Sequence, residues 1–183
     1  MLAYIAASLT GAFRLARLKP DGLAWFDLSA DGFWRSFIAV PVVVPFFLAF
    51  VAVQPGPAPA DWAGYFAVEL AGYLLAWFAF LGLMVPFARF FGLGGGYVPF
   101  VVAYNWAQAL ILMTLAPLTL LRAAGMLPDL LNILVVMLLL AAIFYIGVLA
   151  RLALGADKLQ TVAVVLIEMV TSYAVRELVD FAF

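Results

Sequence analysis

The strongest constraint on this chain is a succession of long apolar runs, each ended by a short turn rich in Gly, Pro or Asp. A helix rises 1.5 Å per residue, so about 20 apolar residues cross the ~30 Å hydrocarbon core of a bilayer. Five runs meet that length, at residues 33–53, 62–87, 97–121, 129–152 and 159–181. A backbone in lipid must satisfy its own N–H and C=O groups, so such runs are helices. Composition agrees: the chain is 69% hydrophobic and 10% charged, where soluble domains hold about 45–50% and about 25%. A soluble domain of this length has too little interior to hide that much apolar surface. The expected fold class is an all-α integral membrane protein, a bundle of five transmembrane helices over residues 33–183. Residues 1–32 are expected to form an N-terminal amphipathic, interfacial segment. Short connections predict antiparallel neighbours. The most uniformly apolar run, the fourth, is free to face lipid on most sides.

The same composition excludes several chemistries. Nine Lys and Arg are scattered against ten Asp and Glu, so there is no basic face for nucleic acid. With no Cys there are no disulfides, thiolate nucleophiles or sulfur-bound metals, and with no His the commonest general base and metal ligand are missing. No catalytic set, cofactor or metal site is expected. Gly92-Leu93-Gly94-Gly95-Gly96 lacks the Lys-Ser/Thr of a phosphate loop and follows an apolar helix rather than a strand. It is read as a flexible turn. Asp21, Asp27 and Asp31 match no calcium-loop spacing; they suit turns and helix caps, with Ser29 a further cap candidate.

At the N-terminus, Leu2, Ile5, Leu9, Phe13 and Ala16 share one helical face, while Thr10, Arg14 and Arg17 fall away from it. This pattern predicts a helix lying in the membrane interface. Arg14, Arg17 and Lys19 follow the apolar stretch, the reverse of a signal peptide's order. Lys19-Pro20-Asp21-Gly22 ends the helix. Trp25, Phe26, Phe33 and Trp34 suit the headgroup layer, so Phe13, Arg14, Arg17, Trp25 and Trp34 form the expected interfacial anchor. Pro41 and Pro45 predict a kink in the first span, and Gln54–Asp61 reads as a loop. With the N-terminus inside, Arg14, Arg17, Lys19, Arg35, Arg89, Arg151 and Lys158 are cytoplasmic, leaving Arg122 and Arg176 outside. The positive-inside rule thus favours a cytoplasmic N-terminus and an outward C-terminus, in a membrane whose Ala-, Gly-, Leu- and Val-heavy protein suggests a bacterial inner membrane.

Ionisable residues inside a span are expensive and mark functional candidates. Glu168 falls near the middle of the fifth run. Glu69 falls ~10 Å below the outer boundary of the second, by helical rise from Trp62. Thr161, Glu168 and Ser172 share a face of the fifth span, with Thr171 flanking and Arg176 at its edge, so that face is expected to point into the bundle. Asn105 and Gln108 lie at similar depth on the third span and share a face. Glu69, Asn105, Gln108, Glu168 and Ser172 form the candidate intramembrane polar site. Two readings stand side by side: a proton-titrating carboxylate in a transport path, or hydrogen bonds that simply join helices. Gly64, Ala67, Ala71, Gly72 and Ala76 allow close helix approach in the second span, within the bundle or in a dimer.

Two local stretches carry a family resemblance. Phe26-Asp27-Leu28 followed by Gly32-Phe33-Trp34 resembles the Asp-Leu-x-Gly-Pro-Phe-Trp entry of the Yip (Ypt-interacting protein) membrane family, with extra residues after Leu28 and no Pro before Phe33. Gly92–Tyr104 resembles that family's Gly-rich turn and third-span start. The likeness covers about Asp27–Phe183. It implies five spans with a cytoplasmic N-terminal segment and, in the eukaryotic family, a role in membrane trafficking with partners including small GTPases. For prokaryotic-like members it implies little about activity. The expected function is a non-enzymatic membrane protein organising partners or lipids. A small transporter or proton-coupled channel using Glu168 is the alternative. Expected partners are the lipid bilayer, other membrane proteins or a second copy of the chain.

Overall fold

The computed structural model describes residues 1–54 and 58–182. Of the expected Gln54–Asp61 loop, residues 55–57 lie outside the described residues. Among the described residues the chain is all helix with no strand. The helices are α1 (Leu2–Ala16), α2 (Ala30–Ser36), α3 (Ala39–Ala52), α4 (Trp62–Phe90), α5 (Gly94–Ala123), α6 (Pro128–Leu149) and α7 (Lys158–Ala182), with a 3-10 turn at Pro20–Trp25 and a π-turn at Ala150–Leu154. Four stretches are long and apolar enough to cross a membrane: Ala30–Ala52, Trp62–Phe90, Gly94–Ala123 and Pro128–Leu154. They suit a multi-pass membrane protein. Helix α7 is 25 residues long but carries Glu168, Arg176, Glu177 and Asp180.

The first long stretch is broken at Phe37–Ile38, not at its prolines. The cause is still Pro41. It has no N–H to return to the Phe37 carbonyl, and Val40 N takes that carbonyl instead at 3.0 Å in a tighter turn. Pro45 lies inside α3 without interrupting it.

The glycine run is not the loop its composition suggests. Gly94, Gly95 and Gly96 are the first turn of α5, and only Phe91–Leu93 separates α4 from α5. Gly96 explains why glycine stands there. A Cβ at that position would fall 2.2 Å from the Leu154 carbonyl oxygen, so only glycine lets the start of α5 lie against the π-turn.

Helix α5 is the axis of the bundle. Every residue from Phe100 to Ala107 is buried, enclosed by α1, α2, α3, α4 and α6. Helix α6 is its opposite, turning Leu130, Ile133, Met137, Leu140 and Phe144 outward. Helix α1 packs on the Pro20–Trp25 turn, α5 and α6 through a stripe that its sequence pattern does not single out, Ser8, Gly11, Ala12 and Leu15. Small side chains bring its backbone close: Tyr145 on α6 donates to the Ala12 carbonyl at 2.7 Å, and Tyr4 meets the Trp106 ring edge-on at 5.6 Å. Leu2 and Phe13, on the face expected to be the apolar anchor, remain exposed.

The connections sort the bundle into two ends. One holds the α4–α5 turn, the π-turn and α1, and carries Arg14, Arg17, Lys19, Arg89, Arg151 and Lys158; Arg35 lies beside Tyr4 toward the same end. We call it the basic end. The far end holds the α5–α6 turn, the end of α3 and the start of α4, with Arg122 and Arg176.

Candidate intramembrane polar site

Toward the far end, α3, α4 and α7 enclose a groove of about 500 Å³. Arg176 Nη1 donates to both Glu69 carboxylate oxygens, at 3.0 and 2.8 Å, and the same guanidinium holds Asp180 one turn on at 3.0 Å. The Glu69 side chain is only 14% exposed and that of Arg176 54%, so the acid lies inside the groove and the base at its mouth. Phe47 and Tyr73 stack at 4.4 Å as part of the wall, and Gln54, Tyr65 and Ser172 complete its polar lining. Gly72 makes the approach of α7 possible, because a Cβ there would meet Val179 Cγ2 at 2.9 Å. One of the small residues noted in α4 thus serves packing inside the bundle.

A second polar centre lies in the enclosed part of the bundle. Asn105 is fully buried. Its carboxamide oxygen accepts from Trp77 Nε1 at 2.9 Å, and its nitrogen donates to Ser36 Oγ at 2.8 Å. The Ser36 hydroxyl in turn donates to the Phe33 carbonyl at 2.6 Å. The network joins α2, α4 and α5 through named donors and acceptors on each. Gln108, one turn along, accepts a longer bond of 3.4 Å from the Tyr73 hydroxyl.

The five candidate residues therefore fall into three settings. Glu69 and Ser172 line the groove. Asn105 sits in the buried network, with Gln108 beside it. Glu168 stands between, half-buried, accepting from Ser172 Oγ at 3.3 Å. Its hydrogen-bond partner is on its own helix, not Asn105 or Gln108. Of the polar stripe of α7, Ser172 and Arg176 turn toward α4, while Thr161 faces Gly147 on α6. Sequence reasoning missed the Glu69–Arg176 pairing. The signal was depth: Glu69 lies seven residues into α4 and Arg176 six residues before the end of α7, so both sit ~10 Å from the far end. It also missed Trp77, Tyr73 and Ser36, which polar counting passes over because aromatic and small hydroxyl residues are ordinary in spans.

The expected interfacial residues gather at the basic end. Arg14 pairs with Asp21 and lies 5.9 Å from the centre of the Trp25 ring. Arg17 lies over Phe13 at 5.5 Å. Trp25 and Trp34 are exposed, Trp34 at 72%. The Arg14 guanidinium holds the Asp21 carboxyl below the usual carboxylate range. The Ser29 hydroxyl and N–H, at 2.6 and 3.2 Å, do the same for Asp27. Ser29 Oγ in turn accepts from Gly32 N at 3.0 Å and caps α2. Asp21 and Asp27 thus have local partners, Arg14 and Ser29.

No known protein family, curated protein or solved structure matches the chain.

Proposed function

We propose that the chain is a non-enzymatic, five-span membrane protein that organises lipids or membrane partners through the assembly its N-terminal segment builds on the basic end. The observation that carries this reading is the seating of α1. Its small-residue stripe locks onto the Pro20–Trp25 turn, α5 and α6, and Leu2, Phe13, Trp25 and Trp34 stay exposed in a segment that carries Arg14, Arg17 and Arg35. Exposed rings next to guanidinium groups suit a lipid headgroup layer or a partner that lies in it.

Helix α7 is the fifth span in this reading. Its 25 residues reach ~37 Å, and Arg176, its basic residue farthest from an end, is neutralised by Glu69. The crowding of basic residues at one end supports a cytoplasmic location for that end and an outward C-terminus, and the Ala-, Gly-, Leu- and Val-heavy composition supports a bacterial inner membrane. The Yip-like entry and glycine-rich stretch support the same layout. The absence of His and Cys supports a role without catalysis.

Because α1 is stitched into the bundle, the test is substitution of the exposed rings of α1 and α2 rather than deletion. The variant Phe13→Glu with Trp34→Glu is expected to insert normally and to lose the lipids or proteins that co-purify with the wild type from native membranes. Unchanged co-purification sinks the reading.

The groove favours a second reading, a small proton-coupled transporter. Glu168 lies one turn from Ser172 in the groove wall. Glu168→Gln would then abolish a pH-dependent flux in liposomes, and a wild type without flux for any candidate ion or solute counts against it.

A further inference from the structure

We propose that the cleft between α6 and α7 at the basic end binds an anionic phospholipid, with an acyl chain in the cleft and the phosphate on Arg151. The inference rests on the five-span reading above, which places this end among cytoplasmic headgroups. The cleft has a volume of about 480 Å³ and is walled by Phe144, Val148, Val162, Val165 and Leu166. Gly147 forms its recess. A Cβ there would sit 3.5 Å from Thr161 Cγ2 and 3.6 Å from Val165 Cγ2, so a methyl fits and a longer side chain would enter the cleft. The walls are apolar along their length, as an acyl chain requires and a polar solute does not.

The rim supplies the opposite chemistry. Arg151 stands in the π-turn, where wider helical winding displaces a side chain from the regular register. Its Nη1 donates to the Ala156 carbonyl at 3.2 Å, which ties the guanidinium to the rim and leaves its remaining N–H groups for a phosphate. The ion pairs among the described residues engage Arg14, Arg35 and Arg176. Arg17, Lys19, Arg151 and Lys158 have no carboxylate within salt-bridge distance among them. Leu18 lines the same cleft with a φ of 59°, a left-handed conformation rare for a branched side chain. Leu18 is flanked in sequence by Lys19 and by Arg17, whose guanidinium lies over Phe13. The nearest acid in sequence, Asp157, is engaged: its Oδ1 accepts from Gln160 N at 2.8 Å. Apolar walls under a cationic rim complement a lipid of net negative charge better than a zwitterionic one, whose quaternary ammonium the rim repels.

The test is native mass spectrometry of purified full-length protein titrated with dioleoylphosphatidylglycerol or dioleoylphosphatidylcholine. The wild type is expected to bind the anionic lipid in preference. Arg151→Gln, an exposed change, should weaken phosphatidylglycerol binding about tenfold, the scale of one charge-assisted hydrogen bond, and leave phosphatidylcholine unaffected. Gly147→Leu should weaken both lipids by filling the cleft, while Gly147→Ala should bind as the wild type does. Equal binding of the two lipids, or an Arg151→Gln variant with unchanged phosphatidylglycerol binding, overturns the proposal. So does an equal loss on Arg122→Gln at the far end. If labelling shows Lys158 to be cytoplasmic and the lipid result is still negative, the cleft inference fails alone. If Lys158 proves to be outside, the cytoplasmic placement of the basic end fails with it.

Discussion

Glu69 and Arg176 are 107 residues apart, and one guanidinium nitrogen bonds both oxygens of the carboxylate. The pair ties α7 to α4 where Gly72 lets the two helices approach. Its geometry lies between the exposed and buried extremes. Exposed pairs contribute about 0–1 kcal/mol, and breaking a buried pair costs about 3–5 kcal/mol. Arg176→Ala, which strands Glu69, is expected to destabilise the protein by about 1–2 kcal/mol on that scale. The double variant Glu69→Gln with Arg176→Gln should recover part of the loss. Thermal unfolding in detergent reads both. Strictly additive effects would show that the two side chains are not coupled.

Asn105 and Gln108 look equivalent by depth and type, but the structure separates them. Asn105→Ala removes two bonds and leaves the Trp77 N–H without its acceptor, a loss of about 1–3 kcal/mol for a buried donor. Gln108→Ala loses one long bond and should cost about 0.6 kcal/mol, the average for hydrogen bonds between spans. Melting temperatures should fall in that order. A Gln108 variant as damaging as the Asn105 variant would contradict the assignment.

Acid should loosen the α1 assembly. Asp21 and Asp27 have folded-state carboxyl groups held below their usual range, by Arg14 and by the Ser29 hydrogen bonds respectively. Their contribution is fully present above the unfolded carboxylate value of about 3.9. It is lost as pH falls below that through the lowered folded-state values. Tryptophan emission followed from pH 6 to pH 2 should report this loss in the wild type. The variant Asp21→Asn with Asp27→Asn should show a flatter profile.

Much of this fold is legible because a bilayer accepts few solutions. Run lengths located α4, α5 and α6 to within a few residues, whereas the polar stripe of α7 divides between α4 and α6. The misreadings share one physical cause, which is that local composition does not report what lies across a contact. Gly94–Gly96 reads as a loop until the Leu154 carbonyl is placed against it. The Phe37–Ile38 break follows from Pro41 but appears a turn earlier, at the carbonyl that lost its donor. Ser8, Gly11 and Ala12 are unremarkable in sequence, and the packing of α1 makes them a contact surface. The pairing of Glu69 with Arg176 was accessible to depth arithmetic, whereas the link between Asn105 and Ser36 needed the bend between α2 and α3.

Both functional readings depend on the topology of the chain, and the absence of cysteine suits it to direct measurement. Single cysteines introduced as Lys19→Cys, Ala60→Cys, Met126→Cys, Lys158→Cys and Phe181→Cys sample both ends of the bundle. With a membrane-impermeant maleimide on intact cells, Ala60→Cys, Met126→Cys and Phe181→Cys should label directly. Lys19→Cys and Lys158→Cys should label only after permeabilisation. Labelling of positions 158 and 181 from the same side would contradict α7 as a fifth span, and with it the five-span membrane protein proposed above.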